Sequence, residues 1–384
     1  MKNNYKKIIA LCLALAFCFA LAACGGGAAP AAPPPSAPAQ APGGSAPAPN
    51  PAAPAAPQAP AVDDKVYELT YATQNTSQSA SYINLEKPFL DLVMAKSNGR
   101  INITMYTDGT LLKNGEAFNG MRDGVVDIAF DTPAAYAGQF PYSLLFEQSC
   151  AGPKTSAAAC AVLWDFINEK ASGLPEYAGV KPLMFANAGP ACLVGNVAVR
   201  TAGDIKGIQV RTNATNAIAI ERLGGTPVIM GMNDLYEAYS TNLLDSGWFV
   251  PEAMYGFSLY EVTKYATVWP FNQSIVFINM NQGVFDSLPA DLQKVIDEAM
   301  EEYYNSVVLS YFDNNFWNFL DRAREANKNF EVIELSDADL SFVTDTLWPL
   351  VEEYATGLDK NGLDGTGMMK WMQERVAHHN AIFS

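Results

Sequence analysis

Asp204-Ile205-Lys206-Gly207-Ile208-Gln209-Val210-Arg211-Thr212 is the stretch from which the fold can be inferred. Its second half, Gly207–Thr212, has the pattern of a strand. The residues that follow, Ala214–Leu223, have the spacing of a helix, and Gly224-Gly225 ends it. A strand that leads directly into a helix is the repeating unit of an α/β sheet.

The same order of strand and helix extends in both directions along the chain. Tyr67, Leu69 and Tyr71 alternate with polar residues, which predicts a strand over Val66–Thr73. A helical pattern follows over Ser81–Ser97 and is closed by Asn98-Gly99. This alternation predicts an α/β protein whose strands are joined by crossover connections.

The longest helical pattern runs from Leu288 to about Asn327, with Ser287 as its expected cap and Pro289 in its first turn. An unbroken helix of this length would extend about 60 Å at ~1.5 Å per residue. One small lobe does not need so long a helix. We therefore expect it to brace two lobes.

Composition limits the function classes that this chain of 384 residues can belong to. Acidic residues number 40 against 24 basic ones, and the net charge is −16, which argues against nucleic-acid binding. The only two histidines, His378 and His379, are adjacent, which argues against a histidine-based hydrolase and against a metal site of separated histidines. We expect no metal, no cofactor and no enzymatic activity, since dinucleotide, P-loop, zinc-protease and serine-hydrolase motifs are absent.

The amino terminus has the pattern of an export signal. Lys2, Lys6 and Lys7 precede an apolar run, and Leu21-Ala22-Ala23-Cys24 resembles a bacterial lipobox. The prediction is a lipoprotein signal peptide over residues 1–23 and a lipid anchor on Cys24, with ordinary secretion as the alternative. Residues 24–62 are rich in Ala and Pro and predict a disordered tether that begins at the lipidated cysteine.

Three cysteines remain beyond the tether, namely Cys150, Cys160 and Cys192. An odd number in an exported protein leaves two possibilities open. Cys150 and Cys160 form a disulfide, or all three are buried small side chains.

Several short segments together resemble one family. Asp204–Thr212 resembles the "D-x-K-G-hydrophobic-x-hydrophobic-R" segment of DctP-type solute-binding proteins of TRAP transporters. Further matches occur in the same order as in that family, and they span about Tyr67 to Gln293. They include Arg122–Ala129, Gly224–Val228, Tyr260–Tyr265 and Leu288–Gln293.

The resemblance implies a fold like that of periplasmic binding proteins, in which two α/β lobes enclose a ligand cleft and a long helix braces them. The expected division assigns residues 63–188 with 277–315 to lobe 1, and residues 189–276 with 316–384 to lobe 2. It also implies that the ligand closes the lobes and that the closed form docks on a membrane permease.

Arg211 is the principal candidate for ligand binding. It ends a strand, where open α/β sheets bind ligands, and its guanidinium offers two parallel donors that match a carboxylate. The family uses this arginine for the carboxylate of its ligand; the alternative is a structural salt bridge. Where many members place a second arginine, this chain has Ala191 and Cys192, which favours a monocarboxylate.

The remaining candidates lie near predicted strand ends. Trp248 and Phe249 would form aromatic walls suited to an apolar or aromatic acid, with a place in the core as the alternative. Asn272 precedes a predicted strand over Ser274–Met280. The other candidates are polar or loop residues that follow two strands of the first lobe: Gln74, Asp131, Pro133 and Tyr136.

The predicted function is therefore an extracytoplasmic receptor, at the cell surface or in the periplasm, that delivers a small organic acid to a TRAP permease. Its partners would be the acid, the permease subunits and, through its lipid, the membrane. Two alternatives remain. One is a binding protein of an ABC importer or a sensor, and the other is an exported hydrolase or lyase that uses carboxylates.

Overall fold

The computed structural model describes residues 65–136, 138–148, 152–153, 155–213, 216–271 and 274–383. The described residues all belong to one compact unit. The predicted signal peptide, Cys24 and the tether lie outside the described residues, as do Cys150 and Asn272.

Eleven strands occur within the described residues, rich in the β-branched and aromatic side chains that favour extended backbone. They are β1 (Tyr67–Ala72), β2 (Ile101–Tyr106), β3 (Ile128–Asp131), β4 (Val180–Asn187), β5 (Ala191–Gly195), β6 (Gln209–Thr212), β7 (Thr226–Ile229), β8 (Ser246–Phe249), β9 (Tyr265–Trp269), β10 (Ile275–Asn281) and β11 (Glu331–Ile333).

The strands form two sheets, one for each lobe. The first sheet has the order β2-β1-β3-β10-β4, and the second has the order β11-β9-β5-β8-β6-β7. In the first sheet β10 runs antiparallel to its two neighbours, and in the second β5 does so. The other pairs are parallel, so their carboxyl ends gather at one edge of each sheet.

The two gathered edges face each other because the chain crosses between them over short distances. β4 ends at Asn187, at the gathered edge of the first sheet, and β5 starts at Ala191, at the gathered edge of the second. A second crossing joins Trp269 at the end of β9 to Ile275 at the start of β10. The space between the edges is the cleft.

Helices cover the faces of both sheets. They are α1 (Lys87–Lys96), α2 (Ala117–Arg122), α3 (Ser143–Phe146), α4 (Ser156–Glu169), α5 (Ala217–Arg222), α6 (Leu235–Ser240), α7 (Ala253–Gly256), α8 (Gln282–Ser287), α9 (Ala290–Tyr303), α10 (Leu309–Ala326), α11 (Asp337–Lys360) and α12 (Gly365–Ile382). A π-helical segment, Tyr82–Glu86, leads directly into α1.

The predicted bracing helix is present but interrupted. α9 and α10 are joined by the π-helical turn Tyr304–Val308, so helical backbone continues from 290 to 326. α9 packs on α1 of the first lobe, and α10 packs on α7 of the second. The predicted cap was wrong: Ser287 ends α8, and its hydroxyl donates to the Val284 carbonyl at 2.7 Å.

Each sheet separates two apolar clusters because successive side chains of a strand point to opposite faces. In β10, Val276 and Ile278 belong to one cluster, while Ile275 and Phe277 belong to the other. In β8, Trp248 and Phe249 are divided in the same way.

The carboxyl-terminal helices correct the expected division into lobes. The first half of α11 packs on the second sheet through Val343 and Leu347, but its second half packs in the first lobe through Val351 and Ala355. α12 lies against α4, and Met372 joins the first-lobe core. The part of the segment 316–384 from Val351 onward therefore packs with the first lobe, because the apolar stripe of α11 is long enough to pack on both.

Two of the three cysteines can be described. Cys160 and Cys192 are free thiols and fully buried. Cys160 accepts a hydrogen bond from the Asn187 backbone N–H at 3.3 Å, and burial raises the pKa of its thiol to about 12. Cys160 and Cys192 therefore occur as small buried side chains, and the state of Cys150 lies outside the described residues.

No helix among the described residues is long and apolar enough to cross a membrane.

A glycine in β5 provides a test of the second sheet. Gly195 lies between Ser246 and Tyr265 on the neighbouring strands, and a Cβ there would overlap the Asp245 carbonyl oxygen. We expect Gly195→Ala to lower the free energy of unfolding by about 1–3 kcal/mol, because backbone on β8 would have to move.

Urea denaturation of both Gly195→Ala and a control, Gly357→Ala, checks this expectation. Gly357 lies inside α11, where a Cβ would meet no other atom within 4 Å, so alanine should stabilise by roughly 0.5–1 kcal/mol through helix propensity. Equal effects of the two substitutions would contradict the packing described for β5.

Candidate functional site

Arg211 lies on β6, at the cleft edge of the second sheet, between Val228 of β7 and Gly247 of β8. Its Nε donates to the Met230 carbonyl at 3.0 Å, and its Nη1 lies 3.5 Å from the Trp248 carbonyl oxygen. Among the ion pairs of the described residues, none includes Arg211. Neutral carbonyl oxygens orient the guanidinium and leave its charge uncompensated.

Burial changes the energetics of this cation. The side chain is half-buried, and the loss of water lowers the pKa of the Arg211 guanidinium below its ordinary value. An arginine stays protonated even when it is partly buried, so burial of its charge is unfavourable until an anion lies beside it. A carboxylate at this position would offset that cost with charge-assisted hydrogen bonds.

Tyr239 on α6 completes the surroundings of Arg211 without supplying a negative charge. Its hydroxyl donates to the Val194 carbonyl at 2.6 Å, and burial raises the pKa of the phenol. Gly247 permits this approach, since a Cβ there would lie 2.5 Å from the Tyr239 hydroxyl oxygen. The phenol therefore stays neutral beside the cation.

The two aromatic candidates lie on opposite faces of the second sheet. Phe249 belongs to the apolar cluster that also contains Tyr239 and Met230, on the face where Arg211 points. Trp248 belongs to the other cluster, where its ring is 6.3 Å from that of Trp269 in an edge-to-face arrangement. Both side chains are buried, and the alternation of β8 makes Phe249 the one beside Arg211.

Three first-lobe candidates lie at the end of β3, of which Asp131 is the last residue. The carboxylate of Asp131 accepts hydrogen bonds from Asn114 Nδ2 at 2.8 Å, from the backbone N–H of Thr132 at 2.9 Å and from the Tyr136 hydroxyl. Pro133 is buried and opens the short 3₁₀ turn that carries the chain to Tyr136. This carboxylate thus organises a loop, although burial raises its pKa.

Gln74 follows β1 at the same edge. Its Oε1 is buried and has no hydrogen-bond donor among the described residues. A buried amide oxygen without a donor is costly, so it is a candidate acceptor for a polar ligand group.

Sequence reasoning missed a carboxyl group where the two crossings meet. Glu147 is 4% exposed, and its carboxyl oxygen accepts from the Ile275 backbone N–H at 3.0 Å. Ile275 pairs with Asn187, the last residue of β4. Burial raises the pKa of Glu147 to about 8. The sequence carries no signal for this, because Glu147 is one isolated acid at the end of a short helix.

The described residues contain no group of His, Cys, Asp or Glu side chains that could hold a metal ion. Arg200, a second cation near the strand segment, forms a bidentate pair with Glu331 at 2.7 and 2.8 Å on the surface. The charge of Arg200 is therefore already compensated, and this residue is not a candidate for ligand binding.

Two α/β lobes, a cleft between their facing sheet edges and one uncompensated cation at that cleft define the class of solute-binding receptors. The chain matches the family model "Bacterial extracellular solute-binding protein, family 7" (DctP) over residues 71–357. It therefore belongs to this family of solute receptors, which act outside the cytoplasm, and the predicted family and fold are confirmed.

Characterised relatives are similar at moderate identity. The 2,3-diketo-L-gulonate-binding periplasmic protein YiaO of Escherichia coli is 24% identical over 233 residues, which cover 60% of this chain and 71% of the relative. The C4-dicarboxylate-binding periplasmic protein DctP of Rhodobacter capsulatus is 24% identical over 224 residues, covering 56% and 65%.

Solved structures share the fold over nearly their whole length. A TRAP periplasmic solute-binding protein of Desulfovibrio salexigens has a TM-score of 0.73 and 26% identity, covering 80% of this chain and 95% of that one. A TRAP solute-binding protein of Rhodoferax ferrireducens, in complex with copurified benzoate, has a TM-score of 0.73 and 22% identity, covering 83% and 100%.

The raised pKa of Glu147 predicts a pH-dependent cost. A carboxyl group whose folded pKa, about 8, exceeds its unfolded value of about 4.3 loses folded-state stability as pH rises between those values. Glu147→Gln keeps the acceptor for the Ile275 N–H but cannot ionise. The variant should therefore be more stable than wild type at pH 8, by a few kcal/mol, and nearly equal to it at pH 4.5.

Chemical denaturation of both proteins at pH 4.5, 6 and 8 measures the difference. Glu374→Gln, at an exposed position of α12, is the control and should track wild type throughout. If the difference in unfolding free energy between wild type and Glu147→Gln stays constant from pH 4.5 to 8, Glu147 ionises in the folded protein as it does in the unfolded one.

Proposed function

We propose that this protein captures a small organic acid through a carboxylate–Arg211 pair and delivers it to the membrane permease of a TRAP transporter. The observation that carries the proposal is the partly desolvated guanidinium of Arg211, which forms no ion pair within the described residues. Its family membership supports the role in transport.

We propose a monocarboxylate with an apolar or aromatic body as the ligand class. No second cation joins Arg211 at the described cleft edge: Ala191 and Cys192 are buried and uncharged, and Arg200 is paired with Glu331. Phe249 offers an apolar surface on the same face as Arg211. Structural neighbours described with benzoate, with metahydroxyphenylacetate and with mandelate are consistent with this class.

The other candidates then have distinct roles in the proposal. Gln74 supplies an unused amide oxygen from the first lobe. Asp131, Pro133 and Tyr136 shape the loop beside it, and Trp248 supports the sheet behind Phe249 while its carbonyl orients Arg211. Asn272 stays a proposed contact on the strength of its place in the sequence alone.

The substitution Arg211→Lys tests the guanidinium as the ligand's anchor. Lysine keeps the charge but loses the forked donor pair, so affinity for a monocarboxylate such as benzoate should fall roughly ten- to a hundredfold, since about 1.4 kcal/mol is tenfold. Arg211→Ala should bind still more weakly. Isothermal titration calorimetry across mono- and dicarboxylates gives the dissociation constants.

The matched control is Arg200→Lys, which changes an arginine of the same lobe that is already paired on the surface. It should leave the affinity unchanged, and circular dichroism should be native for all three variants. If Arg211→Ala binds the acid as tightly as wild type does, the arginine is structural. Much tighter binding of dicarboxylates would reveal a second cation.

We further propose that a lipid on Cys24 anchors the receptor to the membrane face and that residues 25–62 serve as its tether. Support comes from the sequence Leu21-Ala22-Ala23-Cys24 and from the Ala/Pro-rich composition that follows it. An extracytoplasmic receptor that remains attached would stay close to its permease.

Replacing the anchor residue tests this part. A diacylated cysteine adds tens of buried methylenes at about 0.8 kcal/mol each, so Cys24→Ser should release the protein into the medium or leave it unprocessed. Fractionation of cells with gel mobility measures both outcomes, and Cys18→Ser, within the signal region, is the control. Unchanged membrane retention of processed Cys24→Ser would refute lipid anchoring at this residue.

A further inference from the structure

A groove of about 520 Å³ lies on the first lobe beside β4, the outermost strand of its sheet. The start of β4 lines it with Val180 and Pro182, and α4, α8 and α9 supply most of the other lining residues. Two aromatic side chains, Trp164 and Phe285, belong to this lining. The ring of Trp164 is fixed by a flat stack on Tyr304, with centroids 4.3 Å apart. The volume is that of an ordinary ligand site, so the groove can hold a short segment of chain.

The charged residues of this groove are already satisfied. Lys181 Nζ pairs with Asp297 at 2.8 Å and lies 4.7 Å from the centroid of the Phe285 ring. Glu301, the other charged residue in the lining, is exposed to water. The lining therefore holds no buried charge that lacks a partner, and it suits an uncharged segment better than an ionic ligand.

The sequence just before the described residues contains a segment that matches this groove. It carries a proline at every third position: Pro51, Pro54, Pro57 and Pro60. Residues 25–62 contain no Asp, Glu, Lys, Arg or His, so the segment is uncharged. A polyproline II helix has three residues per turn and would align the four prolines along one side. Proline-rich segments with this spacing bind in aromatic-lined grooves.

Helix α9 connects the place where this segment enters the first lobe with the groove. At the start of β1, the Tyr67 backbone N–H donates to the Arg100 carbonyl at 2.8 Å. The Arg100 guanidinium pairs with Asp291, in the first turn of α9. Asp297, which pairs with Lys181 in the groove, lies six residues further along the same helix. That separation is about 9 Å along the helix axis at ~1.5 Å per residue.

The order of the strands gives a similar distance. β1 is parallel to β3, and β10 is antiparallel to both β3 and β4, so β1 and β4 start at the same edge of the sheet, opposite the cleft. Three strand spacings of ~4.8 Å separate them, which is about 14 Å. Residues 61–64 separate Pro60 from Lys65 and can span about 17 Å at ~3.4 Å per residue. The end of the proline segment can therefore reach the groove.

We propose that residues 51–60 of this chain dock in the groove lined by Trp164 and Phe285. Each proline restricts its own backbone, so the segment loses little conformational entropy on docking. The short connection to β1 gives the segment an effective concentration in the millimolar range, so a weak intrinsic affinity is sufficient. The docked segment lies at the edge opposite the cleft and stays clear of the ligand. Neither the lipid on Cys24 nor the proposed ligand is needed for this docking.

Hydroxyl-radical footprinting of the full-length protein, read by mass spectrometry, tests the docking through the oxidation rate of Trp164. The test variant replaces the four spaced prolines by serine: Pro51→Ser, Pro54→Ser, Pro57→Ser and Pro60→Ser. These prolines precede the compact unit of the described residues, so the fold of that unit should not change. Trp164 should be oxidised several-fold faster in the variant, because its groove is uncovered. Trp317 on α10, which is 43% exposed, is the internal standard and should be oxidised equally in both proteins.

The matched control removes as many prolines from the same tether at positions that lack the spacing of three: Pro38→Ser, Pro42→Ser, Pro47→Ser and Pro49→Ser. It should keep the slow oxidation of Trp164 seen in wild type. Equal oxidation of Trp164 in wild type and the test variant would overturn the proposal, and so would equally fast oxidation in the control.

Dilution of wild type separates docking within one chain from docking between two copies. A segment of the same chain covers the groove at any protein concentration, so Trp164 should stay protected. Protection that is lost on dilution would show that a second copy supplies the segment, and would overturn docking within one chain.

Discussion

The second lobe depends on one constraint: Arg211 is partly removed from water and has no acid beside it. The chain places 40 acidic residues in its sequence, yet Arg211 is oriented only by the carbonyl oxygens of Met230 and Trp248. Burial of such a cation makes folding less favourable, and binding of a ligand carboxylate can offset this cost. The surrounding features follow from this need: a glycine at 247 makes room, and a neutral phenol at 239 closes the space.

The first lobe handles buried charge in a different way. Its buried carboxylates are satisfied by hydrogen-bond donors of nearby backbone and hydroxyl groups, and not by cations. Glu176 accepts from the backbone N–H groups of Tyr142 and Ser143 at 2.9 and 3.0 Å, at the start of α3. Asp131 and Glu86 are held by comparable sets of donors. Such hydrogen bonds hold these loops in place without a cation beside the carboxylate.

Local patterns in the sequence were sufficient to locate strands and helices. The segment Gly207–Thr212 contains β6, and Ser81–Ser97 contains the π segment and α1, because apolar spacing reports which side chains face a core. The sequence could not show that α11 changes lobes between Leu347 and Val351, because both halves of one apolar stripe look alike.

The candidate site was predictable to the same extent. Arg211 and Phe249 follow from strand ends and from a resemblance that extends over most of the folded chain. Trp248 was expected in the cleft, yet β8 directs its side chain to the opposite face from Phe249, and only the observed register decides which neighbour faces Arg211. Glu147 was missed because its partner, the Ile275 backbone N–H, lies far away in sequence.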